Sequence, residues 1–114
     1  MIVKKMPILQ GFPDFETVKF FTGKFFQKYN FTPVFYDIET TGLSRNSTYL
    51  YLIGAVGIED ETWNFYQWMA ENASEEETIL RIFSQFLQKY DCLISYNGER
   101  FDQPYLEARY SKYE

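Results

Sequence analysis

The chain has 114 residues, of which 46% are apolar and 24% charged, a composition typical of one globular domain. Its formal charge of -5 excludes a protein that binds nucleic acid through an evenly basic surface. With no His and one Cys, at position 92, the chain lacks the residues for zinc sites, Ser-His or Cys-His triads and an internal disulfide. Catalytic chemistry must therefore rest on carboxylates. The single Cys and the lack of a signal peptide predict a cytoplasmic protein, with no apolar run near the roughly 20 residues that cross a bilayer.

The first 33 residues differ in charge from the remainder of the chain. They carry five Lys and two acidic residues, whereas residues 34–114 carry six basic and fourteen acidic residues. Lysines interspersed with phenylalanines suit an arm that contacts nucleic acid. We favour the alternative, in which Asp14 caps a short helix whose Phe side chains pack on the domain. We therefore predict two parts, a basic aromatic extension over residues 1–33 and a main domain over residues 34–114.

The first half of the main domain has the pattern of three antiparallel strands. Val34 to Thr40 is a short β-branched and apolar run that ends at a Thr-Gly turn. Tyr49 to Gly57 is a second such run, and the acidic turn that follows it leads into Thr62 to Met69, with aromatic alternation. The short turn predicts that the last two strands form a hairpin, so the three together form a meander.

Helical patterns begin in the second half. Ser74 and Glu77 have the spacing of a capping box and predict the start of a helix that ends near Tyr90. Asp91 to Tyr96 is almost wholly apolar, which is typical of a strand buried on both faces and paired parallel to an earlier one after a helical crossover. A closing helix is predicted from Phe101 to about Tyr113. The predicted fold class is α/β, a mixed sheet of three antiparallel strands and a parallel one, flanked by helices.

Three carboxylates occupy strand ends in this scheme. Asp37 and Glu39 are two residues apart on the first of these strands, so both point to one face. Asp102 follows the predicted parallel strand and would join them if that strand lies beside the first one. Clustered carboxylates are costly without a cation, and Mg²⁺ or Mn²⁺ are the usual partners of oxygen ligands. The alternative for each acid alone is a solvated residue or, for Asp102, a favourable charge at a helix start.

Two segments around these acids resemble motifs of a known family. Phe35 to Leu43 (FYDIETTGL) is similar to the first motif of the DEDD, or DnaQ-like, exonucleases of the ribonuclease H-like superfamily. Tyr96 to Asp102 (YNGERFD), with the continuation to Arg109, resembles the second motif in the form found in proofreading domains of B-family DNA polymerases. The resemblance covers roughly residues 34–110 and is greatest to the YprB-type predicted exonuclease domain.

The resemblance implies a metal site and a substrate site. Asp37, Glu39 and Asp102 match three metal ligands of the family, which implies two Mg²⁺ or Mn²⁺ ions that hydrolyse a phosphodiester bond without a protein nucleophile. Thr40 and Leu43 match positions that contact the terminal nucleotide, whereas Asn97 and Phe101 match positions that shape the substrate groove. For Asn97 a role in the Asn-Gly turn has similar weight, and for Phe101 a place in the core is favoured.

The chain departs from the family at its third motif, which should supply a fourth ligand. The sequence ends twelve residues after Asp102. Tyr110 and Glu114 have the right spacing, but on a continuous helix they lie about 12 and 18 Å along the axis from Asp102. We therefore expect a domain truncated at its C-terminus, a fragment rather than a degenerate domain. The sheet edge left open predicts that it self-associates or is only marginally stable.

The resulting expectation is a metal-dependent 3′ to 5′ exonuclease whose catalytic site is incomplete in this chain. Its partner is a nucleic acid with a free 3′ end, DNA and RNA both being open, and no membrane is involved. The alternative is a non-catalytic module that binds nucleic acid or protein with the same fold. A third possibility, an endonuclease of the ribonuclease H type, shares the metals but has no support from the second motif.

Overall fold

The computed structural model describes residues 1–8, 32–60, 62–95 and 98–114. Five strands form one mixed sheet in the order β1-β4-β3-β2-β5, and two α-helices pack against it. The helix that Asp14 was predicted to cap lies outside the described residues. The strands are β1 (Ile2–Pro7), β2 (Pro33–Thr40), β3 (Leu50–Glu59), β4 (Thr62–Met69) and β5 (Cys92–Ile94), and the helices are α1 (Glu76–Leu87) and α2 (Gln103–Lys112).

The predicted meander is confirmed, with strand ends within two residues of those expected. β2 pairs antiparallel with β3, and β3 pairs antiparallel with β4 through the turn at Asp60. Asp60 has a φ of 53°, in the left-handed region that Asp tolerates better than most residues. The hairpin fixes the register of β3 with β4, in which Gly54 lies opposite Gln67, and in the pairing of β2 with β3 Asp37 lies opposite Gly54.

The sheet has an additional strand that the sequence analysis did not predict. β1 pairs antiparallel with β4 along its whole length, from Ile2 opposite Met69 to Pro7 opposite Asn64. Lys5 anchors it on one face, where its ammonium group lies 3.1 Å from a carboxylate oxygen of Glu59. Residues 2–7 therefore belong to the same sheet as the strands of the main domain.

Alternation along the strands places one face of the sheet against the helices. Side chains at alternate positions of β2, β3 and β4 are buried there with the apolar side of α1. The Phe83 ring lies 6.0 Å from the Tyr36 ring and 5.7 Å from the Trp68 ring, measured between centroids. Burial of each such ring stabilises the fold by about 1.5–3 kcal/mol. None of the helices in the described part of the chain is long and apolar enough to span a membrane.

The start of α1 differs from the capping box predicted at Ser74 and Glu77. The cap is Asn72, which has extended backbone angles and accepts a hydrogen bond from the Ser74 backbone N–H at 3.0 Å. A short 3₁₀ turn, Ala73–Glu75, then leads into α1. Glu77 bonds forward to Arg81 at 2.6 Å instead of reaching back. The prediction was wrong because Ser74 lies inside this 3₁₀ turn, where its hydroxyl donates to the Asn72 side-chain oxygen instead of capping α1.

We expect Asn72→Ala to destabilise the protein by about 1 kcal/mol, because the substitution removes the acceptor at this cap. Ser74→Ala keeps the backbone N–H that donates to Asn72 and should cost less. Thermal unfolding of the two variants and the wild type measures both effects. A larger loss for Ser74→Ala than for Asn72→Ala would restore the capping box.

The parallel strand is confirmed in its pairing but not in its burial. β5 pairs parallel with β2, Cys92 to Ile94 lying opposite Pro33 to Phe35. However, Leu93 is 44% exposed and its two neighbours are only half-buried, so the prediction of a strand buried on both faces was wrong. The physical reason is that β5 is short and lies at the end of the strand order, with β2 on one side. Self-association through this edge stays a prediction.

A buried ion pair joins the two helices. The Arg109 guanidinium donates to both carboxylate oxygens of Glu76, at 2.9 and 2.6 Å, and the two side chains are 5% and 0% exposed. Glu76 also accepts hydrogen bonds from the Tyr113 hydroxyl and from the Leu50 backbone N–H, both at 2.6 Å. Burial by itself would raise the pKa of Glu76, but these hydrogen bonds outweigh it and lower the pKa. One carboxylate therefore holds together α1, α2 and the start of β3.

Candidate active site

The first two acidic residues lie together on the face of the sheet opposite the helices. Asp37 and Glu39 are both exposed, whereas Tyr36 and Ile38, which alternate with them, are buried beneath the helices. We call the side that bears Asp37 and Glu39 the carboxylate face. The period of two along β2 therefore separates the acidic residues from the core, as the sequence predicts.

Asp102 approaches the same strand from a π-helical turn, Gly98–Asp102, that leads into α2. β5 pairs with β2 only as far as Phe35, and the turn that follows β5 also contacts β2. Asp102 is 5% exposed, and its Oδ2 atom has no hydrogen-bond partner. Burial, followed by the negative charges of Asp37 and Glu39, raises the pKa of Asp102 to about 6. The three predicted carboxylates thus share one electrostatic environment.

The environment of Asp102 does not match its alternative role as a helix-start charge. Asp102 occupies the cap position of α2, yet its side chain makes no cap hydrogen bond and its backbone is already helical. A helix start stabilises an ionised carboxylate and lowers its pKa. The pKa of Asp102 is raised instead, so burial and the neighbouring acidic residues outweigh the helix. Asp102 therefore does not act as the cap of α2, and its Oδ2 atom is buried without a hydrogen-bond partner.

The donor chemistry of these residues suits a hard divalent cation. All three offer carboxylate oxygens, and the unpartnered Oδ2 atom of Asp102 is a buried acceptor that a cation would satisfy. Over the residues that the structure describes, however, no group of three acidic, His or Cys side chains is close enough to form a ready-made metal site. Asp37, Glu39 and Asp102 are therefore electrostatically coupled but are not drawn together as a ligand cluster.

The end of β2 and the loop that follows it carry the two residues predicted to contact a terminal nucleotide. Thr40 donates a hydrogen bond from Oγ1 to the Gly42 carbonyl at 2.7 Å, and Leu43 is 85% exposed at the loop surface. Thr48 braces the loop from inside, because its hydroxyl contacts the Gly42 and Ser44 carbonyls. These hydrogen bonds support a loop that exposes the apolar Leu43 side chain to solvent, an arrangement suited to contact with a ligand.

Helix α2 fixes this loop through two side chains that sequence analysis did not identify. The hydroxyls of Tyr105 and Thr48 are 2.7 Å apart, and Arg109 donates from Nη1 to the Arg45 carbonyl at 2.9 Å. One signal pointed to the partner of Arg109: Glu76 falls at helical spacing with the buried Ile79, Leu80 and Phe83, an acidic residue on an apolar stripe. No comparable signal marks Thr48 or Tyr105.

The remaining predicted residues are placed as follows. Asn97 lies outside the described residues. Phe101 is half-buried against the core, with its ring centroid 5.5 Å from that of Tyr105, which is the core position that the sequence analysis favoured for it. Its role in a substrate groove stays a prediction. Tyr110 donates to the Leu80 carbonyl at 2.7 Å, so it faces α1, in line with the argument against a third motif in α2.

The fold and the placement of the acidic residues define a class. A mixed five-stranded sheet, with an antiparallel meander, a parallel strand after a helical crossover and two helices packed on it, is an RNase H-like α/β fold. A family model described as RNase_H superfamily matches residues 34–114, and the chain belongs to this superfamily. No curated protein matches the chain. Membership supports a nuclease-type function, with nucleic acid as the substrate.

Proposed function

We propose that this domain is a divalent-metal-dependent 3′ to 5′ exonuclease of the DnaQ-like type, acting on the ends of DNA or RNA. The observation that carries the proposal is Asp102: a residue only 5% exposed, whose buried Oδ2 atom lacks a hydrogen-bond partner and whose carboxyl group is coupled to two further carboxylates. An arrangement that costs stability without a cation is expected of a site built for one. The 3′ to 5′ direction of hydrolysis and the requirement for a free 3′ end come from the resemblance of residues 34–110 to the first two DEDD motifs.

Each residue has a part in this proposal. Asp37, Glu39 and Asp102 would hold two Mg²⁺ or Mn²⁺ ions, which supply a nucleophilic water at neutral pH and stabilise the leaving oxygen. Thr40 and Leu43 position the terminal nucleotide, Leu43 as an exposed apolar contact for its base. Tyr105 and Arg109 keep that loop in place through Thr48 and the Arg45 carbonyl. The chain contributes three of the four metal ligands that the resemblance implies, together with the substrate contacts and the rigidity of the loop.

Calorimetry with Mn²⁺ and an end-labelled substrate test the proposal together. We expect Mn²⁺ to bind the wild type and Glu107→Gln, which alters an exposed acid on α2, but not Asp37→Ala. With Mn²⁺, a 5′-labelled linear single strand should shorten stepwise from its 3′ end, and a circular strand of the same sequence should stay intact. Cleavage of the circle would indicate an endonuclease. Unchanged Mn²⁺ binding by Asp37→Ala would remove that residue from the site.

A non-catalytic module that binds nucleic acid or protein is the second candidate. Two observations favour it: the described residues hold no preformed cluster of three ligands, and Tyr110 is engaged with α1. This candidate predicts that the wild type binds the linear strand but leaves its length unchanged at saturating Mn²⁺. The same assay therefore separates the two functions.

A further inference from the structure

Three positive groups lie in or next to strand β1, and they differ in their partners. The Met1 ammonium group lies 3.0 Å from a carboxylate oxygen of Glu71, and the Lys5 ammonium group lies 3.1 Å from one of Glu59. Lys4 is exposed, and within the described part of the chain its side chain has no ion pair or hydrogen bond. Two ion pairs therefore hold β1 in its place, while the charge of Lys4 is available to a ligand.

The strand register places Lys4 on the carboxylate face. One row of residues that lie opposite each other crosses four strands, and its members are Asp37, Gly54, Gln67 and Lys4. Residues opposite each other on paired strands point to the same side of the sheet, so this row runs from a carboxylate to an ammonium group. Lys5, the next residue along β1, points to the other side, where it pairs with Glu59.

The surface between the two ends of this row is uncharged and open. Gly54 has no side chain, the Gln67 amide is neutral, and a cleft of about 250 Å³ lies along this part of the sheet. Among the strands that the structure describes, the charged side chains on the carboxylate face are those of Asp37, Glu39 and Lys4. A ligand with several negative charges therefore has Lys4 as its cation on these strands, at a distance from the proposed metal ligands.

We infer that Lys4 binds a backbone phosphate of the nucleic acid strand whose end lies at Asp37 and Glu39, an inference that rests on the proposed function. Adjacent strands of a sheet are about 4.8 Å apart, so three steps place Lys4 roughly 14 Å from Asp37. Phosphates recur about every 3.4 Å along one strand of a stacked helix and are farther apart in an extended strand. The distance therefore covers at most about four nucleotides, and the strand crosses the sheet from the metal ligands to β1.

This phosphate contact lies outside the part of the chain that defines the family. The RNase H superfamily model matches residues 34–114, whereas Lys4 belongs to β1, which pairs with β4 at the edge of the shared sheet. A lysine ammonium group binds phosphate as a point charge, and phosphates carry no sequence information. We therefore expect β1 to hold strands of any sequence equally well.

The two adjacent lysines give a matched pair of variants for binding. Without metal, we expect a ten-nucleotide single strand to shift the NMR amide resonances of Lys4 and of the Gln67 side chain. Lys4→Gln should raise the dissociation constant about fivefold and reduce its dependence on salt by about one phosphate contact, whereas Lys4→Arg should match the wild type. Lys5→Gln removes an equal charge from the other side and should change the constant less than about twofold. No shift at Lys4, or an equal loss in both glutamine variants, would overturn the inference.

The length of the substrate separates Lys4 from the metal ligands. With Mn²⁺, Lys4→Gln should raise KM for the ten-nucleotide strand about fivefold at an unchanged kcat, and should leave hydrolysis of a dinucleotide, which is too short to reach Lys4, as in the wild type. An equal loss with the dinucleotide would overturn the inference. If the lysine variants differ in binding but no strand shortens with Mn²⁺, the Lys4 site stands and the proposed exonuclease fails. If strands shorten but Lys4→Gln and Lys5→Gln behave alike, the exonuclease stands and the Lys4 site fails.

Discussion

Asp102→Asn is expected to abolish metal-dependent hydrolysis and to raise the melting temperature of the metal-free protein. The Asp102 carboxylate is buried without a partner for Oδ2, and burial together with Asp37 and Glu39 raises its pKa to about 6. Its ionised form therefore costs stability at neutral pH, and a neutral amide of the same shape removes that cost, worth about 1–2 kcal/mol or about 4–8 °C. The loss of a metal ligand should reduce hydrolysis by more than about 100-fold.

The two effects are measured by thermal unfolding and by the assay with the labelled strand. Glu107→Gln is the matched control, an exposed acid on the same helix, and should change neither the melting temperature nor the rate. Added Mn²⁺ should raise the melting temperature of the wild type and of the control but not that of Asp102→Asn. A lower melting temperature for metal-free Asp102→Asn would mean that the carboxylate stabilises the fold and is not held against its own charge.

Glu76→Gln is expected to cost about 3–5 kcal/mol of unfolding free energy, because it leaves the Arg109 charge buried without its counter-ion. The substitution also weakens the hydrogen bonds that Glu76 accepts from the Tyr113 hydroxyl and the Leu50 N–H. The contacts of α1 with α2 and with β3 are therefore weakened at the same time. Glu77→Gln is the adjacent control. Its carboxylate pairs with Arg81 at the surface of α1, where such a pair contributes about 0.5 kcal/mol or less. Denaturant unfolding of both variants at neutral pH measures the difference.

The pH dependence of the same variant checks the cause. The pKa of Glu76 is lowered in the folded state, so its contribution is fully present above the unfolded value, about 4.3, and is lost as the pH falls through the folded value. We therefore expect the stabilities of the wild type and Glu76→Gln to differ most at neutral pH and to converge below about pH 4. A difference that is constant from neutral to acidic pH would show that packing, and not the charge, carries the effect.

Local patterns were sufficient for the central strands and for the metal-ligand candidates. The period of two in β2 separated Asp37 and Glu39 from Tyr36 and Ile38 without any knowledge of the partner strands. The same holds for the β3–β4 hairpin, whose short turn fixes its register. These features depend on residues that are neighbours in the sequence, which is why the sequence predicts them.

The features that were missed depend on contacts between distant residues. β1 is short and contains two lysines, and only its pairing with β4 makes it a strand. The hydrogen bond between Thr48 and Tyr105 joins residues 57 positions apart, and neither has an unusual local pattern. The burial of β5 was overestimated because apolar residues only tend to be buried, whereas their exposure depends on which other elements cover the strand. The unpartnered Asp102 Oδ2 atom is likewise visible only once β2 and α2 are placed.

The position of β1 has a consequence for how the protein folds. Ile2 pairs with Met69, 67 residues later, so β1 leaves the ribosome long before its partner strand exists. Pairings of such long range are slow to form, because a large loop must close before any contact offsets its entropy. During that interval the strand is exposed, and Lys4 and Lys5 in its centre oppose association with other chains. The two lysines that obscured the strand in the sequence thus protect the nascent chain from aggregation.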